Sequence, residues 1–148
     1  MDREKLVELI SDDLQNEWKH LQYYMHHRTV FRGVHMLTLK PIFEEEMRTE
    51  VEHVAAFSDL LVQLGAQPVL YNNGAPGPQF NAPREILQFA HHMENEVSHN
   101  YVQRIQQAEE LGGPDGKLVQ LFYEKQLEES YTDAKKFEKL LEGFLTAT

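Results

Sequence analysis

Four long stretches of helical periodicity, interrupted in only three places, constrain this chain more than any other feature of its sequence. Leu6, Ile10, Leu14, Leu21, Tyr24 and Phe31 recur at helical spacing with no proline or glycine between them. This spacing predicts helix A from about Asp2 to about Phe31, stopped by Gly33. Thr38 is placed to cap helix B, with Pro41 in its first turn and the pattern running on to Gly65. Residues 65–81, GAQPVLYNNGAPGPQFN, hold Pro68, Pro76, Pro78, Gly65, Gly74 and Gly77, and read as a crossover loop. Helix C starts near Asn81 with Pro83 in its first turn and ends at Gly112-Gly113, carrying Leu87, Ala90, Val97, Tyr101, Ile105 and Ala108 inward. Helix D starts at Pro114 and Asp115, with Val119, Phe122, Tyr123, Phe137, Leu140, Leu141 and Phe144 on its apolar face.

Short connections make A–B and C–D antiparallel neighbours, and the long crossover can join B to C in parallel. The expectation is an all-α, antiparallel-type four-helix bundle with one long B–C crossover, forming a single domain over residues 1–148.

Helix B carries an anomaly. Ile42, Met47, Val54, Phe57, Leu60, Leu61 and Leu64 form its apolar stripe, yet Glu46, Glu50 and His53 fall in the middle of that stripe. A buried acid costs several kcal/mol unless a compensating charge neutralises it. Glu-x-x-His occurs three times, as Glu17/His20, Glu50/His53 and Glu96/His99. Only Glu50/His53 points inward as a pair. Glu17 is central on helix A with His20 near the stripe's edge, and Glu96/His99 lie opposite Val97 and Tyr101 on a solvated face.

The other helices supply matching groups. Glu94 lies within the stripe of helix C, Gln126 at the centre of the helix D stripe and Glu129 at its margin, while Glu128 points away. Each helix therefore offers an oxygen donor near its middle, with one histidine. Arg28 and Arg104 are the only basic residues on those faces, both toward helix ends. Carboxylates so close together repel unless cations sit between them. Two divalent ions, bridged by two of the glutamates, would resolve the repulsion, and oxygen-rich ligation with one imidazole favours iron or manganese over a closed zinc site.

With no cysteine, thiolate zinc sites, iron–sulfur clusters and disulfides are excluded. A formal charge of −10, from 14 basic against 24 acidic residues, argues against nucleic acid and acidic membranes as partners. No apolar run approaches the roughly 18 residues of a membrane span, and the charged N-terminus MDREKLVELISDD is unlike a signal peptide, so the expected location is cytoplasmic. Trp18, Tyr23 and Tyr131 lie off the core stripes, which suggests a homo-oligomer. The pairs His26/His27 and His91/His92 are expected at the surface, where they could form entry or regulatory metal sites.

At these residues the sequence resembles the ferritin-like superfamily, most closely bacterial ferritins and bacterioferritins, over nearly its whole length. Glu17 followed by Tyr24 looks like the helix A ligand and its neighbouring tyrosine. Glu50-x-x-His53 looks like the helix B motif and Glu94 like the helix C glutamate. Gln126 followed by Glu129 looks like the ferritin version of helix D, in which glutamine replaces a motif glutamate. The resemblance implies a ferroxidase that takes Fe2+ and O2, or H2O2, at an intrasubunit di-iron site of Glu17, Glu50, His53, Glu94, Gln126 and Glu129, with Tyr24 beside it and iron as the metal. Glu50 and Glu94 would bridge. Glu46 matches no core ligand and is assigned as an accessory position.

The departures carry expectations too. The histidine of a second Glu-x-x-His on helix D is missing. Val51 stands where bacterioferritins place their haem methionine, so no haem is expected at that site, with Met47 one turn earlier. The short fifth helix of large ferritin cages is expected to be absent, as are the basic tail and intersubunit site of DNA-protecting miniferritins. Two other functions share the pattern: a di-iron or di-manganese peroxidase or catalase of the same fold, and a non-catalytic helical assembly protein with hydrated acids.

Overall fold

The computed structural model describes residues 1–146, and all regular structure among them is helical. The elements in order are α1 (Arg3–His27), α2 (His35–Thr38), α3 (Lys40–Gln63), α4 (Pro83–Leu111) and α5 (Gly113–Thr146). Packing groups them into two compact units. One is Val7–Pro83; the other combines Met1–Leu6 with Arg84–Thr148. No helix among the described residues is long and apolar enough to cross a membrane.

In the first unit α1 and α3 run antiparallel. Tyr24 and Phe31 both meet Phe43 edge-on, with ring centroids 5.4 and 5.0 Å apart, while further back along α1 Glu17 faces His53. Ile10, Leu14, Tyr24, Phe57 and Leu61 are fully buried, each such side chain adding about 1.5–3 kcal/mol of apolar burial. Phe43 is also fully buried, whereas Ile42, assigned to the stripe from its phase, is only half-buried.

The end of α1 differs from the expected Phe31. The helix stops at His27, and the amides of Thr29 and Val30 turn back to the carbonyls of His26 and His27. Phe31 keeps its place in the core from the turn that follows, and Gly33 adopts φ +57°, a conformation that costs a Cβ-bearing residue about 1 kcal/mol or more. The short helix α2 occupies residues expected to be loop. Thr38 closes α2 by donating from Oγ1 to the Val34 carbonyl at 3.2 Å and does not cap α3, whose N-cap is Leu39; Pro41 does sit in the first turn. At the far end Gly65, at φ +81°, lets the Ala66 amide return to the Leu61 carbonyl.

The crossover after Gly65 has no regular helix, as its prolines and glycines dictate, but it is tied down along α1. The Trp18 indole and the Gln15 amide donate to the Val69 carbonyl, and the Asn73 amide donates to Gln15 Oε1. Asn72 donates to Gln22 Oε1 at 2.7 Å, and the Phe80 amide donates to His27 Nε2 at 3.1 Å.

In the second unit α4 and α5 form an antiparallel hairpin. Tyr101 packs against Tyr123, Ser98 Oγ lies 2.9 Å from Ser130 Oγ, and Gln120 donates to Glu109 nearer the turn. Gly112 and Gly113 make the turn at φ +69° and +66°, and α5 begins at Gly113, one residue before the expected proline. Gly116 approaches α4 so closely that a Cβ there would lie 2.6 Å from the Ala108 carbonyl oxygen.

Candidate metal centre

Glu50 and His53 are one turn apart on α3 and so share a face. Glu17 comes to them from α1. The His53 imidazole Nδ1 lies 3.2 Å from Glu50 Oε2 and 3.4 Å from Glu17 Oε2. One donor atom from each of the three falls within 4.8 Å of the others. All three residues are buried, with exposures of 2%, 1% and 8% for Glu17, Glu50 and His53.

Burial opposes ionisation of this cluster, yet opposite charges and hydrogen bonds outweigh it. For Glu17, desolvation pushes the pKa up, but hydrogen bonds with Glu50 and His53 and the charges of His20 and His53 hold it well below the usual carboxylate range. For His53, desolvation pushes down, but both glutamates raise it to about 12. His53 is thus an imidazolium held between Glu17 and Glu50, a positive charge standing beside the acids where a bound cation would otherwise offset them. Removing the proton from His53 leaves two carboxylate oxygens and an imidazole nitrogen, a donor set suited to iron or manganese.

Other polar groups surround the cluster within this unit. Glu46, one turn before Glu50, is 2% exposed, so its inward phase is reproduced. His20, expected at the stripe's edge, is buried at 4% exposure, and its charge acts on Glu17. Its position three residues after Glu17 was the available signal. Tyr24 is fully buried, two turns along α1 from Glu17. Val51 is exposed on α3 and Met47 half-buried.

The remaining sequence-derived candidates belong to the α4–α5 unit. Glu94 is buried on α4, Gln126 is buried on α5, and Glu129 is half-buried one turn later. Gln126 Oε1 has no hydrogen-bond partner among the described residues. An amide oxygen left so costs about 1–3 kcal/mol, which a cation would offset. The buried serine pair Ser98–Ser130 was not anticipated. Single hydroxyls carry no periodic signal, and Ser98 also donates to the Glu94 carbonyl at 2.8 Å.

Two surface assignments are corrected. His27 is only 1% exposed and Tyr23 only 5%, because the crossover covers that side of α1; Trp18 is half-buried by the same loop. Glu96, His99, His92 and His26 are exposed as expected, His91 is half-buried, and His92 Nε2 pairs with Glu96 at 2.9 Å.

Comparison with known families and structures gives one consistent result. A family model described as a ferritin-like domain matches residues 7–145. A ferritin-like diiron-carboxylate protein from Bacillus anthracis is 24% identical, with a TM-score of 0.85, over 95% of this chain and 99% of that one. The bacterioferritin of Desulfovibrio desulfuricans is 16% identical, with a TM-score of 0.86, over 98% of this chain and 82% of that one. A dodecameric thioferritin from Bacteroides fragilis is 16% identical, with a TM-score of 0.83, over 98% of this chain and 89% of that one. No curated protein matches.

Proposed function

The chain belongs to the ferritin-like domain family and has its four-helix bundle fold, and on that premise we propose that it is a ferroxidase, oxidising Fe(II) with O2 for iron storage or detoxification. The observation that carries this reading is the buried Glu17–Glu50–His53 cluster, two acids and an imidazole with donor atoms within 4.8 Å of one another. Iron is the substrate. Glu17, Glu50 and His53 hold Fe(II) in this reading, and Glu94, Gln126 and Glu129 supply further ligands, with Glu50 and Glu94 as the bridging carboxylates and Glu46 an accessory position.

The chain's own groups have definite tasks. His53 gives up its proton to make its imidazole a ligand. Glu17, held ionised by its neighbours, and Glu50 would meet the ion as carboxylates, whose charge favours its higher oxidation state. The surrounding apolar side chains, Leu14, Phe57 and Leu61 among them, keep bulk water from the reacting ions. Electrons balance when two Fe(II) give one each to O2, which takes up two protons and leaves as hydrogen peroxide. Tyr24 stands near Glu17 in sequence and phase, placed to hydrogen-bond a ligand or donate an electron. The protein acts as a homo-oligomer, as the thioferritin does, in the cytoplasm.

The test is aerobic addition of Fe(II) to metal-free protein, following Fe(III) absorbance and particle mass together. Rapid oxidation with a mass gain supports storage. Oxidation without mass gain leaves an oxidase that does not store, and no oxidation above the protein-free rate defeats the reading.

A further inference from the structure

The crossover and α1 enclose a cleft of about 200 Å³, distant in role from the carboxylate cluster, and its chemistry is opposite in sign. None of its lining residues is acidic, in a chain with 24 acids. At its rim are Lys19, Gln22 and His26. Lys19 lies across the crossover, its Cε 3.2 Å from where a Gly74 Cβ would be, and among the described residues it makes no ion pair. The Gln22 amide is oriented by its neighbours: Asn72 donates to Gln22 Oε1 at 2.7 Å while the Gly74 amide occupies Asn72 Oδ1 at 2.9 Å. That chain of bonds commits the Gln22 oxygen and leaves its NH2 group as the donor on offer.

Apart from Gln79, the rest of the lining is ring and backbone surface. The Tyr23 and His27 rings meet with centroids 4.0 Å apart and planes tilted by 36°, and both His27 nitrogens are already engaged, Nδ1 donating to the Tyr23 carbonyl at 2.8 Å and Nε2 accepting from the Phe80 amide at 3.1 Å. His27 therefore offers ring surface and no hydrogen bond. Pro76 and Pro78 line the loop side and have no amide hydrogen to give. A cation and an amide donor at the rim, over aromatic and proline surface, are complementary to a molecule with a negatively charged end and a flat apolar body. The volume corresponds to about six or seven waters, roughly the size of a one-ring acid.

We propose that this cleft binds a small organic carboxylate with a planar body, the carboxylate held by Lys19 and the Gln22 amide and the body between the Tyr23–His27 pair and the Pro76–Pro78 segment. Binding would fasten the crossover to α1 at its least hydrogen-bonded stretch. The site uses none of Glu17, Glu50 or His53, so it stands or falls apart from the ferroxidase reading.

The experiment is a titration of the isotope-labelled full chain, without added iron, with sodium benzoate, acetate or inorganic phosphate. The amides of Gly74 and Gly77 and the Gln22 side-chain NH2 are followed by NMR. Benzoate is expected to shift these signals saturably and more tightly than acetate. Lys19→Ala should weaken it about tenfold or more, the loss of one charged hydrogen-bond partner. Gln22→Glu, which keeps an oxygen for Asn72 but sets a carboxylate at the rim, should abolish it. Unchanged affinity in both variants, or no saturable shift with benzoate, overturns the proposal. Phosphate binding as tightly as benzoate, with acetate equal to both, overturns the planar-body requirement and the proposal with it.

Discussion

Replacing His53 by alanine tests whether the carboxylate cluster is self-neutralised without metal. In the parent an imidazolium stands 3.2 Å from Glu50 and 3.4 Å from Glu17. Its removal leaves two buried acids with donor oxygens within 4.8 Å of each other. At an effective dielectric near 20, their repulsion is about 3 kcal/mol. The alternative is to protonate one of them. With an ordinary carboxyl pKa of 4.5, that costs at pH 7 a similar amount, about 1.4 kcal/mol per pH unit. Either way the metal-free variant should lose about 3 kcal/mol at pH 7, a fall in Tm of roughly 6–12 °C for a chain of this size.

The pH dependence gives the sharper signature. The folded pKa of His53 is raised, so its stabilisation is complete below about 6.5 and is lost only as pH climbs toward about 12. Glu17 is depressed, so its contribution is intact above 4.5 and drains away on acidification below that. Between pH 5 and 7 the parent is therefore nearly level in these two groups. The variant is not, because protonating one acid becomes cheaper as pH falls, and its deficit should shrink to about 1 kcal/mol at pH 5. Thermal unfolding of chelator-treated parent and His53→Ala across this range measures both. A variant that melts within a degree or two of the parent at pH 7, or whose deficit grows as pH falls, refutes the reasoning.

Three further outcomes follow from the same geometry. Binding a divalent ion to metal-free protein at pH 7 should release about one proton per cluster, because His53 must deprotonate to act as a ligand, and affinity should rise with pH; calorimetry in buffers of different ionisation enthalpy reads this, and in His53→Ala the release should fall to the fraction of a proton that the two acids take up in its place. Burial, assisted by His26, lowers the pKa of His27 against the Tyr23 carbonyl bond, so its stabilisation is full above about 6.5 and is lost as pH falls through the lowered value; protonation turns Nε2 into a donor facing the Phe80 amide, and the protection of that amide against exchange, relative to its intrinsic rate at each pH, should fall on acidification in the parent but not in His27→Phe, where it is already low. Gly116→Ala should destabilise the α4–α5 hairpin by about 1–3 kcal/mol in denaturant titration, since its Cβ would meet the Ala108 carbonyl oxygen at 2.6 Å and backbone must shift.

Periodicity carried the four long helices because each buries one apolar face along its length, and it also carried the burial of the candidate ligands, because the phase that buries Leu14 and Phe57 buries Glu17, Glu50 and His53 with them. What phase cannot see is contact between segments far apart in sequence. Tyr23 and His27 lie on the side of α1 that periodicity assigns to solvent, and they are buried because the crossover runs along that side, fixed by Trp18, Gln15 and Gln22. The same limit hid the end of α1. Phe31 is buried as the pattern requires, but a turn delivers it to Phe43, and burial alone does not distinguish a turn from a helix. Thr38 is a good capping residue by type, yet α2 places its hydroxyl on the Val34 carbonyl. Gly116 gave no local sign of its role, which is a close approach to a carbonyl eight residues away.

In the proposed reaction Glu17, Glu50 and His53 hold the iron that reacts with O2. Its most direct test is oxygen uptake on adding two Fe(II) per chain to metal-free protein, comparing the parent with Glu50→Ala and with Glu96→Ala, whose carboxylate is exposed on α4. One O2 should be consumed per two Fe(II) in the parent and in Glu96→Ala, with the rate in Glu50→Ala falling to that of iron in buffer. Parent-like uptake by a folded Glu50→Ala would contradict it.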